Sequence, residues 1–366
     1  MSAEALMRRA LELAGRARGL TSPNPMVGAV VVADGAVVGE GFHREAGAPH
    51  AEIEALAQAG PRARGATLYV TLDPCNHQGR TPPCAPAVVR AGIARVVTAL
   101  ADPNPVAAGG LDVLRAAGIE VVTGVLAEAA ARQNRIFLTA VREGRPHVTM
   151  KAAMTADGKI GDVHGGSKWI TGEAARAESH RMRSETDAIV VGVTTVLRDD
   201  PALTVRLAQP WPREPYRVVL DSDARTPPEA QVLRSGSPAR SLVAVGAEAP
   251  AARVQALQAA GVTVARCPGP DGRVDVLALL ADLYARDVRG VLVEGGGEAH
   301  AAFLDADVVD RVALFVAPLL LGGRTAPSVV DGRGRELKDA VRLGALAVRA
   351  VGDDLLIEAD VPRASA

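Results

Sequence analysis

Short runs of β-branched residues alternate with helix-length segments along most of this chain. Strands are predicted at Thr67–Leu72 and Arg95–Leu100, and helices at His50–Ala59 and Cys84–Gly92. Strands separated by helices predict a sheet covered by helices on its faces, which is the α/β class. Aromatic residues make up only 2% of the chain. The core must therefore consist of Ala, Val, Leu and Ile, which suits close packing of helices on a sheet.

The chain is longer than one ordinary domain, and its pattern is interrupted once. A length of 366 residues favours two domains. The first half is predicted to begin with a helix over 3–18 and a hairpin that turns at Asp34-Gly35. A long helix is predicted at Leu126–Arg142, and the segment Glu143-Gly144-Arg145-Pro146 follows it. We place the boundary there and predict domains over 1–144 and 145–366.

The second half begins with the same alternation but ends differently. Strands are predicted near 148–154, 188–193, 217–221, 241–245, 262–265 and 290–293, with helices between them. The last three strands, Arg311–Leu321, 342–350 and 353–361, follow one another with few helical signals. We therefore expect a sheet that is parallel first and antiparallel at its edge. An apolar, strand-rich C-terminus also predicts a homodimer through the second domain.

Composition and charge exclude several classes of partner. The formal net charge is −1, and no Lys/Arg block exceeds two residues, so no nucleic-acid partner is expected. No run of 18 apolar residues exists, so we expect no membrane association. The first 20 residues lack the apolar core of a signal peptide. Three cysteines without a secretion signal are typical of a reducing compartment, so the prediction is cytoplasmic.

A set of metal-ligating residues lies in one α/β unit of the first half. His50 and Glu52 begin a predicted helix, and Cys75 and Cys84 follow the next strand. One His and two Cys supply the three protein ligands of a catalytic zinc, which leaves a position for water. Zinc makes that water acidic enough to supply hydroxide, and Glu52 is spaced to move its proton. The order His-x-Glu, then Pro-Cys and Cys, is typical of zinc deaminases of nucleobases.

The residues alone leave alternatives open. The two cysteines are separated by eight residues, whereas two is the usual gap in these deaminases. A purely structural zinc site would need a fourth ligand, which His77 could supply. A nucleic-acid deaminase would need a basic groove and stacking aromatic residues. A non-catalytic zinc module fused to an NADP-sensing domain is a further alternative.

The segment from Thr71 to Cys84, Thr-Leu-Asp-Pro-Cys-Asn-His-Gln-Gly-Arg-Thr-Pro-Pro-Cys, resembles the signature of the bifunctional riboflavin-biosynthesis deaminase–reductases. That family carries the long gap between its cysteines, although it more often has Glu where Asp73 stands. The resemblance extends over nearly the whole chain, through segments 22–28, 41–43, 47–56, 102–105, 157–160, 167–171, 199–206 and 294–297.

The resemblance implies a fold, two reactions and two cofactors. It implies a three-layer cytidine-deaminase-like domain followed by a dihydrofolate-reductase-like α/β domain. The first would use Zn²⁺ to deaminate 2,5-diamino-6-(5-phosphoribosylamino)pyrimidin-4(3H)-one by hydrolysis. The second would use NADPH to reduce the ribosyl group of 5-amino-6-(5-phosphoribosylamino)uracil to ribityl. The alternative is a single-activity zinc deaminase with a non-catalytic second domain.

The resemblance also implies binding residues in both halves. For the deaminase substrate these are Asn24, His43, His77 and Arg80, the last as a phosphate ligand. For the reductase substrate they are Ser167, Arg183, Leu203, Arg206 and Glu294. For the cofactor they are Ala153, Trp169, Thr195, Asp199, Ser222, Gly296, Gly297, Glu298, Ala299, His300, Ala301 and Ala302, with the diphosphate at the helix start after Glu294.

Several of these residues have simpler explanations that stay open. Asn24 suits plain turn chemistry, Arg183 a solvated helix face, and Trp169 a place in the core. The proton for the reduction is expected from Lys151 or from the Asp199-Asp200 pair. No function is assigned to Cys267.

Overall fold

The structure of the chain is a computed structural model that describes residues 1–363. The chain folds as two compact units, Met1–Arg145 and the part from Pro146 onward. Every helix within the described residues is too short or too polar to cross a lipid bilayer.

The first unit is a five-stranded sheet between two layers of helices. Its elements are α1 (Ala3–Gly15), β1 (Gly28–Ala33), β2 (Ala36–Phe42), α2 (Ala51–Ala59), β3 (Thr67–Leu72), α3 (Cys84–Arg90), β4 (Arg95–Leu100), α4 (Gly110–Ala116), β5 (Glu120–Thr123), α5 (Ala127–Gln133) and α6 (Arg135–Glu143). The strand order is β2-β1-β3-β4-β5, and β1 is antiparallel to its neighbours while β3, β4 and β5 are parallel.

Strand periodicity explains the two helical layers. Side chains of successive strand residues point to opposite faces of the sheet. Val31 and Leu68 are buried in a core with α2, α3, α4 and α6, whereas Val30 and Tyr69 are buried with α1 and α5. The predicted three-layer arrangement is confirmed.

The predicted helix Leu126–Arg142 is wrong in one respect, because two helices, α5 and α6, meet at Asn134. The Asn134 side chain forms hydrogen bonds with the backbone of Met26, which is distant in the sequence. Its Oδ1 accepts from the Met26 N–H at 2.8 Å, and its Nδ2 donates to the Met26 carbonyl at 2.9 Å. These two bonds fasten α5 and α6 to the segment before β1, and Asn134 itself leaves helical geometry, with φ −100° and ψ 19°.

The second unit is built on a nine-stranded sheet. Its elements are β6 (His147–Thr155), α7 (Glu173–Ser184), β7 (Ala188–Gly192), α8 (Val193–Asp199), β8 (Tyr216–Leu220), α9 (Gln231–Arg234), β9 (Ser241–Val245), α10 (Ala251–Ala259), β10 (Thr263–Arg266), α11 (Val276–Ala285), β11 (Gly290–Gly295), α12 (Gly297–Asp305), β12 (Arg311–Ala317), β13 (Ala347–Val351) and β14 (Asp354–Asp360). The strand order is β10-β9-β8-β7-β11-β6-β12-β14-β13.

The direction of the strands changes near one edge of this sheet. The strands from β10 to β12 are parallel, and β12, β14 and β13 are antiparallel neighbours. The prediction of a sheet that is parallel first and antiparallel at its edge is confirmed.

The predicted strand Arg311–Leu321 is too long, since β12 ends at Ala317. Pro318 follows and has no N–H to donate to a ladder. The N–H groups of Leu321 and Gly322 instead donate to the Asp157 carboxylate at 3.2 and 2.6 Å. The predicted strand 342–350 likewise begins only at Ala347. An irregular and largely exposed segment, 318–346, therefore separates β12 from β13.

Candidate functional site

Three metal-ligating side chains converge in the first unit. His50 is the residue before α2, Cys75 lies in the loop after β3, and Cys84 is the first residue of α3. Their ligand atoms all lie within 4.8 Å of one another. His50 Nδ1 is 3.2 Å from Cys84 Sγ and 3.5 Å from Cys75 Sγ.

These distances test whether the three residues fit zinc. A tetrahedral Zn²⁺ with ordinary bond lengths would separate a nitrogen from a sulfur ligand by about 3.5 Å. Two sulfurs and one imidazole nitrogen are also the donor atoms that zinc prefers. The residues fit the ion, with His50 as an Nδ1 ligand. His77 is not part of the cluster, so the structural-zinc alternative lacks its fourth ligand within residues 1–363.

The cluster has an apolar lining. Cys75 and Cys84 are buried together with Ala107, and Ile53 packs against them. Hydrogen bonding from the Cys84 thiol lowers the pKa of Cys75, and His50 adds to that effect. Cys75 is therefore the first of the two thiols to ionise, and a bound zinc ion would deprotonate both.

Glu52 lies in the first turn of α2, two residues after His50, and is buried. Burial raises the pKa of Glu52 to about 7, against the opposing effects of its own backbone amide and of His50. A buried carboxyl group beside three metal ligands has the position that a general acid–base group requires.

A glycine fixes the loop that carries Cys75. A side chain at Gly110, the first residue of α4, would place its Cβ 1.7 Å from the Pro74 carbonyl oxygen. The neighbouring Asn76 N–H donates to the Ala107 carbonyl at 3.1 Å. The chain before α4 therefore lies directly on the Pro74-Cys75 peptide. Sequence reasoning missed Gly110, since nothing in its own segment marks this contact.

Asn24 and His43 form a bonded pair beside the metal ligands. His43 Nδ1 lies 3.2 Å from the Pro49 carbonyl, which can only accept, so Nδ1 carries the hydrogen. His43 Nε2 then accepts from Asn24 Nδ2 at 3.1 Å. Burial lowers the pKa of His43, which keeps the ring neutral. Its ring centroid is 5.3 Å from that of His50, so both predicted substrate residues stand at the metal centre.

The other two predicted substrate residues, His77 and Arg80, lie in the loop between the cysteines. His77 Nδ1 is buried and has no hydrogen-bond partner within residues 1–363. Arg80 is exposed, and its guanidinium forms no hydrogen bond or ion pair with the described part of the chain. Both side chains therefore keep polar atoms available for a ligand.

The second unit contains a cavity of about 730 Å³. Most of the residues predicted for the reductase substrate and its cofactor line it. They are Ala153, Ser167, Trp169, Arg183, Thr195, Asp199, Leu203, Arg206, Glu294, Gly296 and His300.

The remaining predicted cofactor residues lie outside the walls of this cavity. They are Ser222, Gly297, Glu298, Ala299, Ala301 and Ala302. Ser222 Oγ accepts from the Val274 N–H at 3.1 Å, and Glu298 is exposed and paired with Arg273. Gly297 packs against the Asp331 carboxylate and the Ser328 carbonyl.

An ion cluster forms one wall of the cavity. Arg183 donates through Nε and Nη2 to the Glu294 carboxylate at 2.6 and 2.8 Å, and Lys151 Nζ lies 3.7 Å from the same carboxylate. Burial alone would raise the pKa of Glu294, but Arg183 and Lys151 outweigh it and hold the pKa at about 2. Burial lowers the pKa of Lys151. Sequence reasoning did not foresee the Arg183–Glu294 pair.

The simpler explanations for Arg183, a solvated helix face, and for Trp169, a place in the core, are both wrong. Arg183 is not on a solvated helix face, because it is bonded to Glu294 and donates from Nη1 to the Thr204 carbonyl at 3.0 Å. Trp169 is not in the core, because 70% of it is exposed. The Arg176 guanidinium lies over its ring at 4.7 Å from the centroid.

Comparisons with known proteins agree with these two sites. Residues 1–100 match the family described as "Cytidine and deoxycytidylate deaminase zinc-binding region", and residues 146–357 match the "RibD C-terminal domain". The chain is 43% identical over 352 residues to the riboflavin biosynthesis protein RibD of Aquifex aeolicus, covering 96% of each protein. The chain belongs to the RibD family.

Solved RibD structures have the same fold over 98–99% of this chain. RibD of Acinetobacter baumannii superposes with a TM-score of 0.89 at 38% identity, covering 99% of each chain. A deaminase/reductase from Thermotoga maritima gives a TM-score of 0.87 at 38% identity, covering 98% of this chain and 99% of that one. The predicted fold class, a cytidine-deaminase-like domain followed by a dihydrofolate-reductase-like α/β domain, is confirmed.

Membership of the RibD family confirms the predicted function at the level of the enzyme. The chain is a bifunctional deaminase and reductase of riboflavin biosynthesis, with zinc and NADPH as its cofactors. It is therefore both a hydrolase and an oxidoreductase. The alternative of a non-catalytic second domain is not supported, because residues 146–357 match the reductase half of RibD.

Proposed function

We propose that residues 1–144 deaminate a phosphoribosyl pyrimidine and that residues 145–366 reduce the product. The Thermotoga maritima relative is named for a diaminohydroxyphosphoribosylaminopyrimidine deaminase and a 5-amino-6-(5-phosphoribosylamino)uracil reductase. We assign these two activities to this chain. The observation that carries the proposal is the convergence of His50, Cys75 and Cys84 beside the buried Glu52.

For the deaminase, His50, Cys75 and Cys84 hold zinc. Bound zinc supplies a Lewis acid that makes water a competent nucleophile near neutral pH. Glu52 takes a proton from the attacking water and delivers protons to the ring nitrogen and the leaving ammonia. The apolar side chains of Ile53 and Ala107 exclude bulk water from these charges.

The deaminase substrate is oriented by side chains around the ligands. Asn24 turns its amide toward the ring edge, and its bond to His43 holds that amide in place. His43 faces the sugar or the base. Arg80, with His77 beside it, binds the phosphate through a guanidinium that has no protein partner in the described chain.

For the reductase, the cavity of the second unit binds the product of deamination. Ser167, Arg183, Leu203, Arg206 and Glu294 contact the sugar phosphate. The cofactor residues are Ala153, Trp169, Thr195, Asp199, Ser222 and the run Gly296, Gly297, Glu298, Ala299, His300, Ala301 and Ala302. When bound, NADPH would supply a hydride to the sugar carbon that carries the nitrogen; the bond from that carbon to the ring oxygen breaks, and the ring oxygen takes up a proton.

The reduction also consumes one proton, for which the sequence offers Lys151 or an Asp of the Asp199-Asp200 pair as the source. Asp200 is engaged elsewhere, since its carboxylate accepts from the Gln231 N–H at 2.7 Å and from Gln231 Nε2 at 3.2 Å. Lys151 lies on the cavity wall next to Glu294. We assign the proton to Lys151, whose Nζ lies 3.7 Å from the ionised Glu294 carboxylate.

A coupled assay tests the two activities together. The purified protein is given the diaminopyrimidine substrate, and release of ammonia and oxidation of NADPH are followed with and without a chelator. We expect both signals without chelator and neither with it. When the deaminated uracil is supplied instead, NADPH oxidation should continue in the presence of the chelator. Absence of ammonia release from the zinc-loaded protein would refute the deaminase assignment.

We further propose a cytoplasmic homodimer formed through the second unit. Strand β13 is at the edge of its sheet, and an exposed edge strand favours pairing with another strand. Exposed apolar side chains lie on β13 and on the segment before it, including Leu320, Leu337, Leu346 and Val348. The three cysteines are unpaired, as expected in a reducing compartment.

A further inference from the structure

A hydroxyl group outside the proposed ligand set contacts one of the ligands. Thr81 Oγ1 lies 3.1 Å from His50 Nε2, on the side of the imidazole opposite to the two thiols. His50 Nδ1 faces those thiols at 3.2 and 3.5 Å. The proposed mechanism gives Thr81 no role.

The two ring nitrogens of His50 have separate tasks when a metal is bound. The metal takes the lone pair of Nδ1, so the hydrogen of the neutral ring must be on Nε2. That N–H is then a donor, and Thr81 Oγ1 is placed to accept it. Such a bond selects the tautomer, fixes the plane of the ring and raises the basicity of the ligating nitrogen.

The position of the Thr81 hydroxyl is fixed by its own loop. The Thr81 carbonyl accepts from the Gly79 N–H at 3.2 Å, which closes a tight turn. Pro82 and Pro83 lie between Thr81 and the ligand Cys84, and a proline ring restricts φ to about −65°. Pro83 has φ −63° and ψ 139°. The hydroxyl is therefore held at a nearly fixed separation from Cys84.

The base of the same loop is closed as well. The Cys75 carbonyl accepts from the Ala85 N–H at 3.1 Å, which ties the two cysteine segments together. The loop that carries two proposed ligands thus also carries the group that orients the third. This arrangement gives a reason for the long gap between the cysteines, since a two-residue gap has no room for a turn and two prolines.

We propose that Thr81 is a positioning residue that sets the zinc affinity of the site by fixing the tautomer and orientation of His50. The inference rests on the proposed zinc site, and it adds a residue that neither binds the metal nor transfers a proton. Its effect is on the holding of the metal, with the chemistry of deamination left to Glu52.

The test compares two variants of the full-length protein. Thr81→Val keeps the shape of the side chain and removes the hydroxyl, and Thr81→Ser keeps the hydroxyl. Zinc affinity is measured by competition with a chromophoric chelator, starting from metal-free protein. We expect zinc binding by Thr81→Val to weaken about 10- to 100-fold and that of Thr81→Ser to stay near wild type. The absorption spectrum of the Co²⁺-substituted protein should change in Thr81→Val alone.

The outcomes separate this inference from the proposed function. If wild type fails to bind zinc, the zinc site itself is wrong. If wild type binds zinc and Cys84→Ser loses it, but Thr81→Val binds as tightly as wild type, the inference on Thr81 is overturned and the zinc site stands. A raised KM for the pyrimidine with unchanged zinc affinity would also overturn it, because Thr81 would then contact substrate. A far-ultraviolet circular dichroism spectrum and a thermal unfolding curve of the zinc-free protein that match those of wild type show that each variant has folded.

Discussion

Arg183 and Glu294 stand 111 residues apart in the sequence and form a bidentate ion pair in the wall of the reductase cavity, with N–O distances of 2.6 and 2.8 Å. Arg183 comes from α7 and Glu294 from β11, so the pair joins a helix to the central part of the sheet. Both side chains are largely buried, at 13% and 7% exposure. Removing Glu294 would leave the buried Arg183 and Lys151 cations without their shared counterion, whereas removing Arg183 would leave Glu294 with Lys151 as its remaining cation.

This pair predicts a pH dependence of stability. The pKa of Glu294 is about 2 in the folded protein and about 4.3 in an unfolded chain. A lowered pKa stabilises the fold above about pH 4.3, and the contribution is lost as the pH falls toward 2. We expect Glu294→Gln to destabilise the second unit by about 3 kcal/mol at pH 7, and by about half as much near pH 3, where the carboxyl group of the folded protein is still mostly ionised.

The measurement is urea unfolding followed by tryptophan fluorescence. Both tryptophans, Trp169 and Trp211, belong to the second unit, so the signal reports on that unit. A difference between wild type and Glu294→Gln that is equal at pH 7 and pH 3 would contradict the prediction.

Glu52→Gln should abolish deamination without releasing the metal. The amide fills the same buried space but cannot exchange protons at neutral pH, so we expect turnover to fall by about 10²- to 10⁴-fold. Ammonia release and zinc content are measured on the same sample. NADPH oxidation with the deaminated uracil should be unchanged. Normal ammonia release from the variant would show that another group transfers the proton.

Loss of a zinc ligand should abolish deamination and leave the reductase activity unchanged. Cys84→Ser is expected to bind zinc poorly and to lose deamination, while reduction of the uracil continues. Cys267→Ser is the matched control, since Cys267 is also a buried free thiol but belongs to the second unit. Metal analysis and the two separate assays check the prediction. Equal zinc loss in both variants would speak against the assignment of Cys84.

Trp169 should contribute to cofactor binding. Its ring is 70% exposed at the cavity, so stacking against a cofactor ring would add about 0.5–1.5 kcal/mol. We expect Trp169→Ala to raise the KM for NADPH by up to about tenfold, with little change in zinc content. Trp211→Phe serves as the control. Trp169 is the one tryptophan left in that variant, so quenching of its fluorescence by NADPH reports on Trp169 directly. Absence of quenching in Trp211→Phe would place the cofactor elsewhere.

A charge on the edge strand should break the proposed dimer. Val348 on β13 and Leu277 on α11 are both 55% exposed, which makes them a matched pair. Val348→Asp should shift the protein to monomer in sedimentation velocity, and Leu277→Asp should not. Wild-type protein that sediments as a monomer at micromolar concentration would refute the dimer.

Elements whose bounds follow from local sequence signals were predictable. Element ends that are set by contacts with residues distant in the sequence were not. The bounds of β3, β4 and β9 follow from runs of β-branched and apolar residues between turn residues. The break between α5 and α6 depends on bonds from Asn134 to Met26. The early end of β12 depends on Pro318 and on Asp157, which captures the next N–H groups. Local periodicity contains no trace of these distant contacts.

The same distinction applies to the sites. The ligands His50, Cys75 and Cys84 were predictable because zinc demands particular donor atoms in one structural unit. The supporting contacts were not, because a threonine and an arginine have no distinctive pattern of their own. The Thr81 hydroxyl against His50 and the Arg183 guanidinium on Glu294 become visible only when the chain is folded.

Gly110 offers a way to sort relatives of this chain from their sequences alone. Because a Cβ at this position would overlap the Pro74 carbonyl oxygen, any other residue there forces the peptide before Cys75 to move. A homologue that keeps every metal ligand but carries a larger residue at the equivalent of Gly110 would have had to rebuild its metal centre. In such a relative we expect the deaminase activity to be lost or changed, even though the ligand motif is intact.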